Sequence, residues 1–118
     1  YDGYKGIDYC AKMGAKIINC SWGGGYDFYG KIVVDNVTKN YGAIVVCVAG
    51  NDNHNNDGNH QYPSDFSYTI AIASTNRQDK KAYYSNYGGI IDLSAPGGEG
   101  ASYTNAIYSA IHVSAGSY

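Results

Sequence analysis

The chain has 118 residues, enough for one small domain or a piece of one, so a single core is the most to expect. Charged residues make up 15%, against roughly 25% in ordinary domains, and the formal net charge is −2, which offers no field to attract nucleic acid or anionic lipid. The longest apolar run, Ala43 to Ala49, falls well short of the ~18 residues a bilayer span needs, so membrane insertion is not expected.

No basic-then-apolar segment opens the chain. It begins at Tyr1 and stops at Ala115-Gly116-Ser117-Tyr118, and both ends read as cuts through a longer protein. From Tyr4 to Met13, the apolar positions Tyr4, Ile7 and Ala11 recur at helical spacing, less cleanly joined by Tyr9 and Cys10, and Gly14 supplies the stop. Ala15 to Cys20 reads as a strand buried on both faces, broken by the glycine-rich stretch Ser21 to Gly25. Phe28 to Asn40 reads as a second helix before Gly42, and Ile44 to Val48 as a second strand.

Asn51 to Gln61 reads as a surface loop too hydrophilic to be packed, ended by the Tyr62-Pro63 turn signal. Thr69 to Ala73 and Ile90 to Leu93 read as further strands, and Asn105 to Ser114 as a terminal hairpin or extended pair. Helix, strand, helix, strand argues for parallel strands joined by right-handed crossovers. The expected class is α/β: three layers, with a mainly parallel sheet and flanking helices.

Cys10, Cys20 and Cys47 lie in apolar stretches, are odd in number and form no C-x-x-C pair, so buried free thiols are expected. That leans slightly toward a reducing compartment. The 14 tyrosines are spread along the chain rather than clustered, which points to packing rather than to a binding stripe.

Two patterns imitate other chemistries. Gly25 to Lys31 fits G-x-x-x-x-G-K after a strand and before a helix, as a phosphate loop would. Ile32 nevertheless replaces the hydroxyl that would hold Mg²⁺, Asp27 puts negative charge where phosphates would sit, and aromatics crowd the loop. Asn51 to Gly58 alternates oxygen ligands like a cation loop, yet no acidic residue closes it and no helix precedes it, so a metal is not expected there.

Five segments in one order carry a resemblance: Gly6 to Gly24 ending in Ser21-Trp22-Gly23-Gly24; Val48-Ala49-Gly50-Asn51; Tyr62-Pro63-Ser64; Tyr84-Ser85-Asn86-Tyr87-Gly88; and Asp92-Leu93-Ser94-Ala95-Pro96-Gly97. Together they resemble the subtilisin-like serine peptidases over nearly the whole chain, which would be the central-to-C-terminal part, residues 1–118, of a peptidase S8-type domain incomplete at both ends. The resemblance implies that Asn51 supplies the oxyanion hole. An amide NH₂ on a turn after a buried strand can be aimed at the developing alkoxide without reorganising. The plainer alternative is a turn made by Gly50-Asn51; the other four motifs favour the donor role.

By the same resemblance, Ser21, Trp22 and Gly23 would pair with substrate backbone, glycine admitting an extended peptide, while Ala49 and Gly50 would border the pocket for the side chain before the cleaved bond. Relatives carry a smaller aliphatic residue at Trp22, so this tryptophan either narrows an outer subsite or anchors the core. Tyr62-Pro63 falls where relatives have a cis peptide. Asp92, with carbonyls near Ser64, Phe66 and Thr69, matches a weak structural cation site, although a solvated or hydrogen-bonded Asp92 is the preferred reading; no cofactor is required.

The family's Asp-Thr/Ser-Gly, His-Gly and Gly-Thr-Ser motifs are absent. Asp2-Gly3 and Asp57-Gly58 lack the middle residue, and His54, His60 and His112 lack the following glycine. The resemblance therefore implies the cleft and oxyanion portion of an endopeptidase acting through an acyl-enzyme, with the triad outside this chain and the fragment alone inactive. A catalytically dead binding module is the alternative. Partners would be a peptide or protein substrate and the remainder of the same domain, and the family's habit is secretion.

Overall fold

The computed structural model describes residues 2–99 and Ile107. The extended pair expected over 105–114 otherwise lies outside the described residues, as do His112 and Ser117. The first helix, α1, spans Asp2–Lys12 and buries Tyr4, Ile7 and Ala11, the stripe its spacing dictates. Gly14 turns the chain out of it at φ 93°. Strand β1 is Ile17–Cys20.

Helix α2, Phe28–Tyr41, opens on Asp27, whose carboxylate accepts from Gly30 N at 3.1 Å, and closes on Gly42 in the left-handed conformation. Its inner stripe is Gly30, Val33, Val34 and Val37. Strands β2 (Ile44–Val48), β3 (Thr69–Thr75) and β4 (Leu93–Pro96) follow. The sheet order is β1-β2-β3-β4 and every pair is parallel.

Register and strand alternation decide which side chains share a face. Ile18 and Cys20 stand beside Val45 and Cys47, which stand beside Thr69 and Ala71. The first four of these form one buried cluster with the inner stripes of α1 and α2 and with Phe66, so both helices cover the same face. The opposite face carries Ile17, Ile44, Val46, Val48, Ile72 and Leu93. Here the expectation of a strand buried on both sides is corrected: Ile17 is 71% exposed, because no described helix covers that face. The last strand also starts later than its apolar run suggests. Ile90 and Ile91 belong to the preceding turn, and Asp92 joins β3 through its main chain and its carboxylate, N donating to Ala71 O at 3.1 Å and Oδ2 accepting from Ala71 N at 2.8 Å.

Glycine sets how closely the helices approach. A Cβ at Gly30 would overlap the Tyr4 ring, and one at Gly3 would lie 2.7 Å from the Trp22 ring. Tyr4 thus packs on α2 and meets Trp22 edge-on, with ring centroids 5.0 Å apart.

The polar segment after β2 lies at the surface as expected, except Asn56, which is fully buried. The segment runs beside residues 84–90 through Asn53 N to Tyr84 O, Tyr87 N to His54 O and Asn56 N to Tyr87 O, each 2.8–3.0 Å. Asp57 fastens its far end, accepting from Gly89 N at 2.9 Å and Ile90 N at 3.1 Å. These N–H groups, that of Gly89 foremost, stabilise the charged carboxylate and hold it below its ordinary value.

Two glycine substitutions should separate packing from propensity in the native full-length protein. Gly30→Ala should destabilise by about 1–3 kcal/mol through overpacking against Tyr4. Gly6→Ala meets nothing within 4 Å and should stabilise by about 0.5–1 kcal/mol. Urea midpoints check both. Asp57→Asn should lower the midpoint at pH 7. Because the folded carboxyl titrates below its ordinary value of 3.8, the stabilisation is complete above that value and is lost as pH falls through the folded one, so the gap between variant and parent should close in acid.

Candidate functional site

A cleft of about 470 Å³ opens at the C-terminal ends of the strands, on the face the helices leave free. Val46, Val48 and Ile72 line its apolar part; Asn19, Ser21, Gly50, Asn51 and the segment Ala95 to Gly97 also border it. Ligand crevices in parallel sheets lie outside the carboxyl ends of the strands, and this one follows that rule. Ser74 Oγ and Tyr84 Oη are 2.8 Å apart beside it, and Tyr84 Oη donates to Gly98 O at 3.0 Å, which ties the rim to β3.

Of the residues singled out in the sequence, Ser21, Gly50 and Asn51 share this cleft. Ala49 is fully buried behind it, its N donating to Ile72 O at 2.9 Å. Trp22 and Gly23 instead line a separate hollow of about 30 Å³ with Tyr4, Asp27 and Tyr62, and Trp22 packs against the core cluster. Gly24 and Tyr62 exchange main-chain hydrogen bonds at 2.8 and 3.0 Å, beside a cis Tyr62-Pro63 peptide.

Asn51 is exposed, and its side chain hydrogen-bonds to no described residue. Its neighbours are held firmly. Asn86 Nδ2 donates to Ala49 O at 3.1 Å, Asn56 Nδ2 donates to the same oxygen at 2.9 Å, and Asn86 N donates to Gly50 O at 3.0 Å. Asn86 and Asn56 are both 0% exposed. Sequence reading quoted Asn86 only as part of a family marker and placed Asn56 in a solvated loop. The available signal was an asparagine between Ser85 and an aromatic-glycine turn, which by itself does not reveal what the amide touches.

The phosphate-loop pattern dissolves in three dimensions. The α2 N-terminus is capped by Asp27, and Lys31 Nζ lies 2.8 Å from Asp35 Oδ2, lowering the Asp35 carboxyl and raising the lysine. A phosphate would meet a carboxylate there. The residues named for a structural cation hydrogen-bond within the protein. The carbonyls of Pro63, Ser64 and Phe66 converge on Thr69 Oγ1 at 2.7–3.1 Å, and the Asp92 carboxylate is engaged by Ala71 N. Among the described residues no three His, Cys, Asp or Glu side chains cluster as metal ligands.

Cys20 and Cys47 are neighbours across β1 and β2, buried and free, and Cys10 is half-buried and free. The hydrogen bond that Cys47 donates to Cys20, and then burial, push the Cys47 thiol far up, while the same bond draws the Cys20 thiol down.

The sequence and the fold match known proteins. The model of the Subtilase family, peptidase S8, matches residues 1–117. Thermitase from Thermoactinomyces vulgaris is 40% identical over 92 residues, covering 78% of this chain and 32% of thermitase. The cell wall-associated protease of Bacillus subtilis is 41% identical over 94 residues, 80% of this chain and 10% of that protein. A protease structure from Pseudoalteromonas arctica superposes with a TM-score of 0.68 at 36% identity, over 74% of this chain and 25% of that one. The chain therefore spans about a third or less of the length of these relatives. On sequence and fold together, the chain belongs to the subtilase family of serine proteases.

Proposed function

We propose that these residues form the substrate cleft and oxyanion-binding part of a serine endopeptidase that cleaves peptide bonds through an acyl-enzyme. The Asp, His and Ser of its triad are supplied by residues outside this chain. The observation that carries this reading is Asn51: an exposed amide, bonded to no described residue, at the rim of a cleft and just beyond the end of β2. An NH₂ that bonds to no described residue can donate to an oxyanion as charge develops, without breaking a bond to them first.

Substrate would lie along Ser21 to Gly23, where β1 is an edge strand among the described residues and an extended peptide can add as a further strand. Ala49 and Gly50 would border the pocket for the residue before the scissile bond. Trp22, packed on Tyr4, would shape an outer subsite from behind. The apolar face carrying Ile17, Ile44 and Leu93, all more than 45% exposed, supports association with the remainder of the same domain. Secretion is the proposed destination, in keeping with a relative named for the cell wall.

In the native full-length protein, Asn51→Ala should lower kcat on a chromogenic peptide by about 10²–10³ with KM within a few-fold. That magnitude is taken from the oxyanion asparagine of subtilisin itself rather than from this geometry. An unchanged kcat would remove Asn51 from the chemistry. A parent protein that binds peptide yet resists labelling by a serine-directed phosphonate would instead be a binding module on a protease scaffold.

A further inference from the structure

The turn that carries Asn51 is held on both sides by one residue from a distant part of the sequence. Asn86 takes Ala49 O with Nδ2 (3.1 Å), Gly50 O with its own N (3.0 Å), and Asp52 N with Oδ1 (2.8 Å). His54 N also donates to the same Oδ1, at 3.3 Å. Asn86 therefore grips residues 49, 50, 52 and 54 and leaves Asn51 alone between them.

The grip is close and fully desolvated. Gly50 has φ 114°, and a Cβ there would overlap the Asn86 amide nitrogen, so only glycine allows the amide to lie against this backbone. Asn86 Nδ2 is also 3.0 Å from both Asn56 Oδ1 and His54 Nε2. Its two amide protons are thus taken up by Ala49 O and Asn56 Oδ1, with the His54 ring packed beside them. Asn56 repeats the bond to Ala49 O from a second position.

The residue that grips is itself anchored to the sheet. Ser85 Oγ accepts from Ser74 N at 2.8 Å and donates to Asn86 O at 3.0 Å, and Ala82 N donates to Ser74 O at 2.9 Å. Lys81 Nζ reaches Asn53 Oδ1, Ala82 O and Ser85 O at 2.7–3.0 Å, closing the far side. The end of β3 is thereby linked rigidly, through Ser85 and Asn86, to the turn at the end of β2.

We propose that Asn86 is the positioning residue of the oxyanion donor, fixing the direction of the Asn51 amide through the backbone on either side of it. This rests on the reading of Asn51 given above. A donor aimed by a buried, fully bonded amide spends no reorganisation at the moment charge develops, and a displacement of about 1 Å is enough to cost ~10²-fold in rate. Asn86 touches no reacting atom in this scheme.

The test is a double-mutant cycle in the native full-length protein, read as kcat and KM on a chromogenic peptide with active sites titrated. Asn86→Asp turns the donor facing Ala49 O and Asn56 Oδ1 into an acceptor. It should lower kcat by about 10² with KM within ~3-fold, while in the Asn51→Ala background the same change should alter kcat by less than ~3-fold. Where Asn86→Asp does not fold, Asn86→Ser keeps one buried donor and reads the same coupling. Equal losses of kcat in both backgrounds, or a loss confined to KM, would overturn the proposal and leave Asn86 a fold residue. If Asn51→Ala alone leaves kcat unchanged, the oxyanion reading fails first, and the positioning role falls with it.

Discussion

A side-chain amide shut away from water must find all its hydrogen bonds inside the protein, because each one left unmade costs about 1–3 kcal/mol. Asn86 meets that condition only with the chain in one arrangement. Its oxygen needs Asp52 N, its nitrogen needs Ala49 O and Asn56 Oδ1, and its main chain needs Gly50 O. The positive φ of Gly50, the burial of Asn56 and the course of the 53–57 segment along residues 84–90 all accord with satisfying this one group. The cleft inherits its rim from the same bonds, since Gly50 and Asn51 border it on one side and Tyr84 and Ser85 on the other.

The helical layer solves a separate problem with simpler means. Tyr4, Ile7 and Ala11 of α1 and Val33, Val34 and Val37 of α2 are buried on one face of the sheet, where a fully buried valine contributes roughly 1.5 kcal/mol or more. Gly30 lets the Tyr4 ring settle on α2, and the ring in turn holds Trp22 at the end of β1. Packing on that side therefore fixes where Ser21 enters the cleft, and polar bonding on the other side fixes where Asn51 does. Exposed pairs such as Lys12–Asp8 and Lys31–Asp35 add little to either.

What could be read from the residues tracks the range of the physics involved. Both helices and the first three strands were legible, because apolar spacing at i, i+3 and i+4 and short β-branched runs are local signals. Ile90 and Ile91 misled because a short apolar run does not say where pairing starts, and the Asp92 bonds to Ala71 set that boundary. Asn56 misled more deeply, inside a stretch that otherwise lies at the surface as expected. Counting Asn and His as solvent-loving holds only while their groups lack internal partners, and Asn56 has them. Asn51 itself was legible through family order alone; nothing local separates a turn asparagine from a donor.

The cysteines show how burial changes what a residue type says about its surroundings. Three free thiols in the sequence lean toward a reducing compartment, while the relatives include a cell wall-associated protease. For Cys47 the geometry removes the conflict. Cys20 and Cys47 sit side by side beneath α1 and α2 within the core cluster, and the Cys47 thiol, raised by its neighbour and by burial, carries almost no thiolate at neutral pH. Exchange and oxidation proceed through thiolate, so such a group behaves as a small hydrophobe in either environment. Cys47 therefore reports on packing, and the same logic applies to Asn86 and Asn56: in this fold, chemical type announces a role only after burial and partners have been counted.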